Sequence, residues 1–362
     1  MKKTLIASAI AAISFSGAVA AQATLNASEM AEKMDAMPQV YGNIQLALTY
    51  DDIKNGPNST DFADNGSTIG VKHDHLIAPG ITGFFKAELE FDADNKAGNN
   101  GLDSFDEAYI GVKGDSFGQV WIGSDDSTFE RAVDEISNFW EVASLNLNAS
   151  EGGYTTGEGD LVQYMTPSFG GLTLGAALQI NGGGAAKSYP YQVSAVYAVD
   201  ALELAFAMDS NDGSTGYSSA GADPVNNNEN TYGLRASYNM DSVRVTGQFQ
   251  TRKDYADTYG LMGVYTLGQN QFALSYEARN LDGTAKAAAN GEDSRDTIAI
   301  QALRNVSDNL YVYIEGYLGG GDNVYGGVDA VKGTFDAPAG KPAVTAYSNE
   351  RTVAAVGATY YF

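Results

Sequence analysis

The feature that most constrains the fold of this chain is an alternation of apolar and polar side chains that begins at Val40 and continues to the C-terminus. In one segment, Leu202, Leu204 and Phe206 recur at every second position. Successive side chains of a β-strand point to opposite faces of the sheet. The pattern therefore predicts strands of about ten residues with one apolar face and one polar or mixed face, the repeat that lipid-facing β-barrels show.

The segments that alternate in this way number sixteen, and the lengths of their connections alternate as well. The predicted strands are 40–52, 66–75, 80–92, 104–114, 118–124, 160–167, 171–181, 189–199, 202–210, 230–240, 243–252, 257–267, 271–280, 295–305, 309–319 and 350–362. Every second connection is a tight turn, and most of the others are long and polar, beginning with 53–65. In a membrane barrel the short turns lie at one end and the long loops at the other, whereas a β-sandwich is not expected to sort its connections by length in this way. We therefore predict an all-β fold: a 16-stranded antiparallel transmembrane β-barrel with short periplasmic turns and long extracellular loops.

The last segment ends at the carboxylate on an aromatic residue. Val356, Ala358, Tyr360 and Phe362 fall on one face of this strand. Such an ending is expected of a bacterial outer-membrane barrel, where the final strand must close against the first, although a sandwich strand could also end in this way.

The N-terminus has the pattern of a cleavable secretory signal peptide. A basic start at Lys2 and Lys3 is followed by uncharged, mostly apolar residues and by small residues that fit cleavage after Ala20, Ala21 or Ala23. The residues after it have helical habit up to Pro38, which predicts a small periplasmic or pore-adjacent helix or else a disordered spacer. The expected division is a signal peptide at 1–23, a short N-terminal segment at 24–38 and a barrel at 39–362.

Composition supports an exported strand-rich protein and excludes several classes. The chain has no Cys, so neither disulfides nor thiolate metal sites can stabilise it, and it has 42 Gly and 22 Tyr. It carries 21 Lys+Arg against 45 Asp+Glu, a formal net charge of −24. Such acidity argues against nucleic acid as a partner and favours a surface or pore that attracts cations.

Four patterns in order make the chain resemble the Gram-negative general porins. They are the segments 67–72 (STIGVK), 83–90 (GFFKAELE), 108–123 (AYIGVKGDSFGQVWIG) and 161–172 (LVQYMTPSFGGL), and terminal Phe362 adds to them. The resemblance implies a homotrimer of sixteen-stranded barrels in the cell outer membrane, in contact with lipid and lipopolysaccharide. It also implies passive diffusion of small hydrophilic solutes and ions, no cofactor, and recognition of Phe362 by the barrel-assembly machinery.

The resemblance further implies that the third loop, about 125–159, folds into the lumen as a constriction. With Asp160 this stretch holds nine acidic residues and one basic residue, Arg131. The candidate constriction residues are Asp125, Asp126, Glu130, Asp134, Glu135 and Glu141. The alternative is that these acids belong to a solvated loop and line nothing.

The wall opposite such a loop carries arginines in the family, and this chain departs from that pattern. Thr68, Asp106 and either Gln163 or Met165 stand at wall positions where the family often has Arg. By alternation Lys72 and Lys86 point inward, and Arg244 and Arg279 are further basic candidates. The candidate pore wall is thus Thr68, Lys72, Lys86, Asp106, Gln163 and Arg244, and a mainly negative, cation-selective pore is expected.

Other functions are weaker interpretations of this sequence. A substrate-selective porin, for example one for oligosaccharides, requires aromatic side chains along the lumen, and Tyr311, Tyr313 and Tyr317 share one strand face. A G-x-S-x-G motif at 114–118 has no helix after it, so it does not predict a hydrolase. His73 and His75 lack a third metal ligand nearby. We therefore expect neither an enzyme nor a metal site, while a barrel without conductance stays open.

Overall fold

The computed structural model describes residues 37–94, 105–142, 145, 147, 154, 156–180, 189–212, 229–282, 294–325 and 348–362, without the side chains of 322–324. The expected signal peptide lies outside these residues, as does the expected N-terminal helix up to residue 36. Among the described residues, no helix is both long enough and apolar enough to cross a membrane.

The described chain forms antiparallel strands that close into a barrel. The strand segments are β1 (Gln39–Ile53), β2 (Asn58–Asp64), β3 (Thr68–Ala78), β4 (Ile81–Glu90), β5 (Phe105–Gly114), β6 (Gly118–Ser124), β7 (Leu161–Met165), β8 (Leu172–Gln179), β9 (Tyr191–Val199), β10 (Leu202–Asp209), β11 (Thr231–Met240), β12 (Val243–Arg252), β13 (Ala256–Leu267), β14 (Asn270–Leu281), β15 (Ser294–Asn305), β16 (Leu310–Tyr325) and β17 (Ser348–Tyr361). Each segment from β3 onward pairs with the next, and β17 pairs with β1, from Asn43 opposite Tyr361 to Ile53 opposite Arg351.

The barrel has sixteen strands because β2 and β3 are two parts of one strand. Both pair with β1: Leu46 lies opposite Asp64 of β2, and Asn43 lies opposite Thr68 of β3, so the register slips by one residue between them. The sixteen-stranded prediction is confirmed. The long first connection predicted at 53–65 is wrong, because 58–64 already form strand β2. That segment has a single large apolar side chain, Phe62, and so shows no apolar face in the sequence.

The burial pattern is that of a barrel with an apolar outer face. On β14, Phe272, Leu274 and Tyr276 are exposed, whereas the alternate residues Ala273, Ser275 and Glu277 are buried. Exposed apolar and buried polar side chains alternate in the same way around the sheet, the reverse of a water-soluble protein, because lipid replaces water as the solvent of the outer face. The alternation in the sequence thus separates a lipid-facing side from an interior side, which is the arrangement expected.

The two ends of the barrel differ in their connections. The end that holds Gln39 and Phe362 has tight turns, in which Gly80, Asp200 and Asp241 adopt positive φ values of 77°, 50° and 47°. Gly, Asn and Asp are the residues that tolerate this region at low cost. We call this the turn end, and we call the opposite end, which holds the longer connections, the loop end.

The third loop begins with a short helix that the sequence analysis did not predict. Helix α1 (Thr128–Val133) starts at Ser127, whose side chain accepts a hydrogen bond of 3.1 Å from the Glu130 N–H. A 3-10 turn at Ser137–Phe139 follows. The spacing S-x-x-E from Ser127 to Glu130 is a helix-start signal that could have revealed α1. With only six residues, α1 depends on its packing against the barrel interior rather than on helical propensity.

Candidate pore constriction

Apolar side chains hold the third loop against the interior of the barrel. Phe129 and Val133 of α1 are fully buried and pack with Ala207 of β10. Further along, the ring of Trp140 meets that of Tyr317 of β16, with 6.0 Å between centroids. Since Thr128 of the same helix also donates to Gln163 of β7, contacts of the loop extend from β7 to β16, and the loop lies along one side of the interior as expected of an inward-folded loop.

Backbone groups of the loop bind side chains of the wall. The Phe129 N–H donates to Gln192 Oε1 at 3.0 Å. The N–H groups of Glu141 and Val142 donate to the two carboxylate oxygens of Glu315 at 2.9 and 3.0 Å. Glu315 is 2% exposed, and its charge is thus met by donors that the loop supplies. Hydrogen bonds to a charged group are stronger than neutral ones, so they fix the loop in place.

Glu135 is an ion-paired anchor. Arg244 donates through Nε to Glu135 Oε1 and through Nη2 to Oε2, both at 2.6 Å, and Arg235 Nη1 donates to Oε2 at 2.5 Å. Burial opposes the charge of Glu135, but the hydrogen bonds from Arg244 and Thr246 and the charge of Arg235 outweigh it and lower its pKa to about 2. The structure therefore pairs Glu135, just after α1, with Arg244 of the wall, and the charges of the two side chains compensate each other.

Two other candidate acids are buried behind the loop instead of facing open space. Asp125 is 5% exposed and accepts hydrogen bonds from Trp121 Nε1 at 2.6 Å and Arg131 Nη1 at 2.7 Å. Asp134 is 1% exposed and accepts hydrogen bonds from Gln248 and Gln250. Burial, together with the charge of Glu130, raises the pKa of Asp134 to about 8. The expectation that both line the open pore does not fit these positions, because strand pairing brings polar wall side chains directly beneath them.

Glu141 occupies an intermediate position near the far end of the loop. It is half-buried and accepts a hydrogen bond of 2.8 Å from the hydroxyl of Tyr311. Burial and the nearby charge of Glu315 raise its pKa to about 7, although the bond from Tyr311 opposes the shift. Tyr313 and Tyr317, which the sequence placed with Tyr311 in an aromatic row, are buried beneath the loop.

Three carboxylates of the loop come together on its open side, and we call Asp126, Glu130 and Glu158 the loop acids. One oxygen of each lies within 4.8 Å of the others. Burial and the charges of Glu130, Asp126 and Asp106 raise the pKa of Glu158 to about 7, and similar causes raise that of Asp126. Exposed acids often adopt such spacing without an ion, so the spacing alone does not define a metal site. Glu158 was among the nine acids of the sequence but not among the candidates.

The wall beside the loop acids is acidic as well, and we call Glu88, Glu90, Asp106 and Glu107 the wall acids. Lys86 forms ion pairs with Glu107 and, at 3.7 Å, with Glu88. A register shift between β4 and β5 leaves Asp106 as an extra residue, so Asp106 and its neighbour Glu107 both contribute charge to the interior. The family resemblance indicated Asp106, and alternation indicated Lys86. Glu88 and Glu90 follow Lys86 at the same two-residue period but were not among the candidates, whereas Glu107 was missed because a bulge cannot be recognised from a two-residue period.

The remaining wall candidates differ in accessibility. Thr68 is buried and accepts a hydrogen bond of 3.1 Å from Asn43 Nδ2. Gln163 is fully buried under α1, where its Oε1 accepts hydrogen bonds from Thr128 at 2.9 Å and Arg131 at 2.6 Å. Lys72 is exposed on the interior face, one step nearer the turn end than the wall acids. The structure thus brings Asp106 and Lys86 together with the loop acids. Gln163 lies beneath the loop, where its Nε2 donates to the Asp126 carbonyl at 3.1 Å.

Comparison with known proteins gives concordant results. Residues 7–324 match the family described as Gram-negative porin. A monosaccharide porin of Halomonas sp. is 29% identical over 354 residues, covering 87% of this chain and 94% of that protein. Outer membrane protein U of Vibrio parahaemolyticus is 27% identical over 339 residues, covering 87% and 88%. Among solved structures, an anion-selective porin from Comamonas acidovorans aligns with a TM-score of 0.66 at 17% identity, covering 90% of this chain and 99% of that one.

Proposed function

Because this chain belongs to the Gram-negative porin family, and so forms an outer-membrane channel and not an enzyme, we propose that its channel is selective for cations. Small hydrophilic solutes and ions cross it by passive diffusion, and the loop acids and wall acids set its ion preference. The protein works as a homotrimer, with the turn end in the periplasm and the loop end outside. It contacts lipid and lipopolysaccharide, and the barrel-assembly machinery binds it through Phe362.

The observation that carries the proposal is the meeting of acids from the loop and the wall. Asp126 and Glu130 come from the third loop, and Glu107 and Asp106 come from β5, with Lys86 as the basic residue between them. Two unit charges about 4 Å apart interact by about 4 kcal/mol at an effective dielectric constant of about 20. A surplus of negative charge therefore lowers the barrier for cations and raises it for anions without a tightly bound intermediate.

The zero-current potential of single channels in a KCl gradient tests this proposal. We expect wild-type protein to favour K⁺ over Cl⁻, most clearly at low salt, because the Debye length falls to about 3 Å at 1 M. The triple substitution Asp126→Asn, Glu130→Gln and Glu158→Gln should reduce the preference. Asp134→Asn is the control, since burial raises the pKa of Asp134 to about 8 and leaves it mostly uncharged at neutral pH, and it should change the potential less. An anion-selective wild-type channel would refute the proposal.

A second candidate is preferential passage of monosaccharides. It is supported by the name of the Halomonas relative and by aromatic side chains on the open interior face, where the rings of Phe84 and Tyr109 lie 6.1 Å apart. Aromatic faces are common contacts for the apolar faces of ligands. Block of the K⁺ current by added glucose would support this candidate, and an unchanged current at high glucose concentration would argue against it.

A further inference from the structure

The interior wall of the pore changes the sign of its charge within one step along the strands. Glu88 of β4 lies opposite Glu107 of β5, and one step toward the turn end Lys72 of β3 lies opposite Lys86 of β4. Side chains on one face of a strand repeat every two residues, about 7 Å. The wall therefore presents negative charge nearer the loop end and positive charge nearer the turn end, along the direction in which a solute moves.

Lys72 supplies the positive side of this step. Within the part of the chain that the structure describes, Lys72 makes no ion pair, whereas Lys86 is paired with wall acids and Lys113 is paired with Asp74 at 2.7 Å. The Lys72 Nζ lies over the ring of Tyr41, 4.8 Å from its centroid. A cation over an aromatic face is attracted by the ring, so the ammonium is held in position and keeps its charge available.

Tyr41 is itself fixed by a glycine. A Cβ atom on Gly70 would lie only 2.5 Å from Tyr41 Cζ, so the ring can cross β3 between Thr68 and Lys72 because residue 70 has no side chain. The Lys86 Nζ lies 5.8 Å from the same ring. The ring thus belongs to the row of Glu88 and Glu107 and lies beside both ammonium groups of the next row.

An open cavity of about 390 Å³ adjoins this charge step on the turn side of the wall acids. Its lining includes Lys72, Lys86, Phe84, Tyr109 and Gln119, and also Lys113 and Asp74, which are paired with each other. The wall acids lie beside this lining, where Glu107 and Glu88 pair with Lys86. Charged, aromatic and amide groups are thus combined around a space that can hold a small organic solute, and such combinations fix the orientation of a ligand. The loop acids and wall acids repel a solute that carries only negative charge. A solute that carries only positive charge gains no attraction from Lys72.

We propose that this cavity is a binding site for small zwitterionic solutes, molecules that carry one ammonium and one carboxylate group. The carboxylate contacts Lys72, the carbon chain lies along Phe84 and Tyr109, and the ammonium reaches the wall acids that adjoin the cavity beside Lys86. The site rests on the proposed channel function and adds to it a solute class that the charge step selects over singly charged molecules.

Partial block of the K⁺ current at low salt tests the site. The probe is 4-aminobutanoate, and butanoate and butylammonium are its singly charged controls. We expect 4-aminobutanoate to block at lower concentration than either control. Lys72→Gln should raise its half-blocking concentration about two- to fivefold, the effect of losing one exposed ion pair. Lys72→Arg should retain the block, and so should Lys54→Gln, which removes an equal charge near the loop end, outside the cavity.

Equal block by butylammonium, or an unchanged block in Lys72→Gln, would overturn the proposal. Saturation-transfer NMR of 4-aminobutanoate with detergent-solubilised protein gives a readout that needs no conductance, and loss of signal in Lys72→Gln is expected there too. The zero-current potential of the same channels reports the cation selectivity separately. A failure of the selectivity proposal is therefore distinguishable from a failure of the zwitterion site.

Discussion

The surroundings of each carboxylate in the third loop decide how much charge it carries at neutral pH. Glu135 is bound by two guanidinium groups and has a pKa of about 2, whereas buried Asp134 has a pKa of about 8. Glu158 lies between these extremes, at about 7, because burial and neighbouring acids oppose its ionisation. The charge of the constriction is therefore set by contacts and not by the number of acidic residues in the sequence.

Cation selectivity should depend on pH near neutrality. Because the pKa of Glu158 is raised to about 7, the fraction of Glu158 that is charged falls as the pH falls through this value. We expect the K⁺ preference, read from the zero-current potential, to be weaker at about pH 6 than at about pH 8. Glu158→Gln should reduce this change, and Glu141, whose pKa is also raised to about 7, should account for part of what remains. A potential in the wild-type channel that does not vary over this range would contradict the assignment.

Asp134 should make the folded protein less stable as the pH rises. Its folded pKa of about 8 exceeds an unfolded value of about 3.9, so its stabilising contribution is complete below the unfolded pKa and is lost as pH rises through the folded pKa. The free energy of unfolding should fall by at most about 1.4 kcal/mol per pH unit in this window. Thermal unfolding of detergent-solubilised protein between about pH 5 and 8 measures it. Asp134→Asn should flatten the curve, and a slope equal to that of the wild type would count against the prediction.

At the scale of elements, the strands could be predicted from the sequence and the path of the third loop could not. A strand between lipid and interior must alternate, so each one is visible locally, as at 202–208. The loop side chains are instead placed by partners far along the chain, as when Glu135 meets Arg244. The local sequence pattern of the loop does not indicate which strand each of these side chains will contact. For the same reason Asp134 and Asp125 could be recognised as acidic but not as buried.

Glycines on the interior face leave the room that the loop occupies. A Cβ on Gly260 of β13 would lie 2.7 Å from Ile136 Cδ1, and one on Gly233 of β11 would lie 2.7 Å from Phe129 Cζ. Both loop side chains are fully buried. A larger residue at either position must displace these buried side chains, and we expect the loop that carries them to move toward the open lumen.

Gly260→Val should therefore narrow the channel. We expect a lower single-channel conductance, because Val would push Ile136 and the loop into the lumen, and the loss of packing should cost about 1–3 kcal/mol of stability. Gly263→Val is the matched control on the same strand, since a Cβ there meets nothing within 4 Å. Planar-bilayer recordings compare the two variants. Equal conductance in both would show that the contact at Gly260 does not position the loop.

At the scale of the whole molecule, the third loop divides the interior unequally. It covers the interior from Gln163 of β7 to Tyr317 of β16, and the wall acids and Lys72 lie on the side that it leaves open. The closed barrel could be predicted from the sequence, because the alternating segments can be counted and their even number lets the last strand pair with the first. The unequal division of the interior could not be predicted from the sequence. It depends on how the apolar side chains of one loop fit one part of a wall that is otherwise lined by polar groups.

Phe362 should affect assembly more than the finished barrel. Its N–H donates to the Gly42 carbonyl at 3.0 Å and its carbonyl accepts from the Gly42 N–H at 3.1 Å, so its deletion removes two closing hydrogen bonds worth about 1 kcal/mol each. That is small beside the remaining pairs between β17 and β1. We expect deletion to lower the amount of protein at the cell surface while refolded channels still conduct. Normal surface levels in the deletion variant would contradict this.

The alternation that builds the outer face also governs how the polypeptide can travel before it folds. In β14, each lipid-facing residue from Phe272 to Tyr276 is followed by a small or polar one, and no long uninterrupted apolar run arises. A membrane helix needs about 20 consecutive apolar residues. The nascent polypeptide can thus pass through the inner membrane and the aqueous space beyond without being retained. It becomes hydrophobic on its outside only when hydrogen bonding between strands sorts its side chains into two faces.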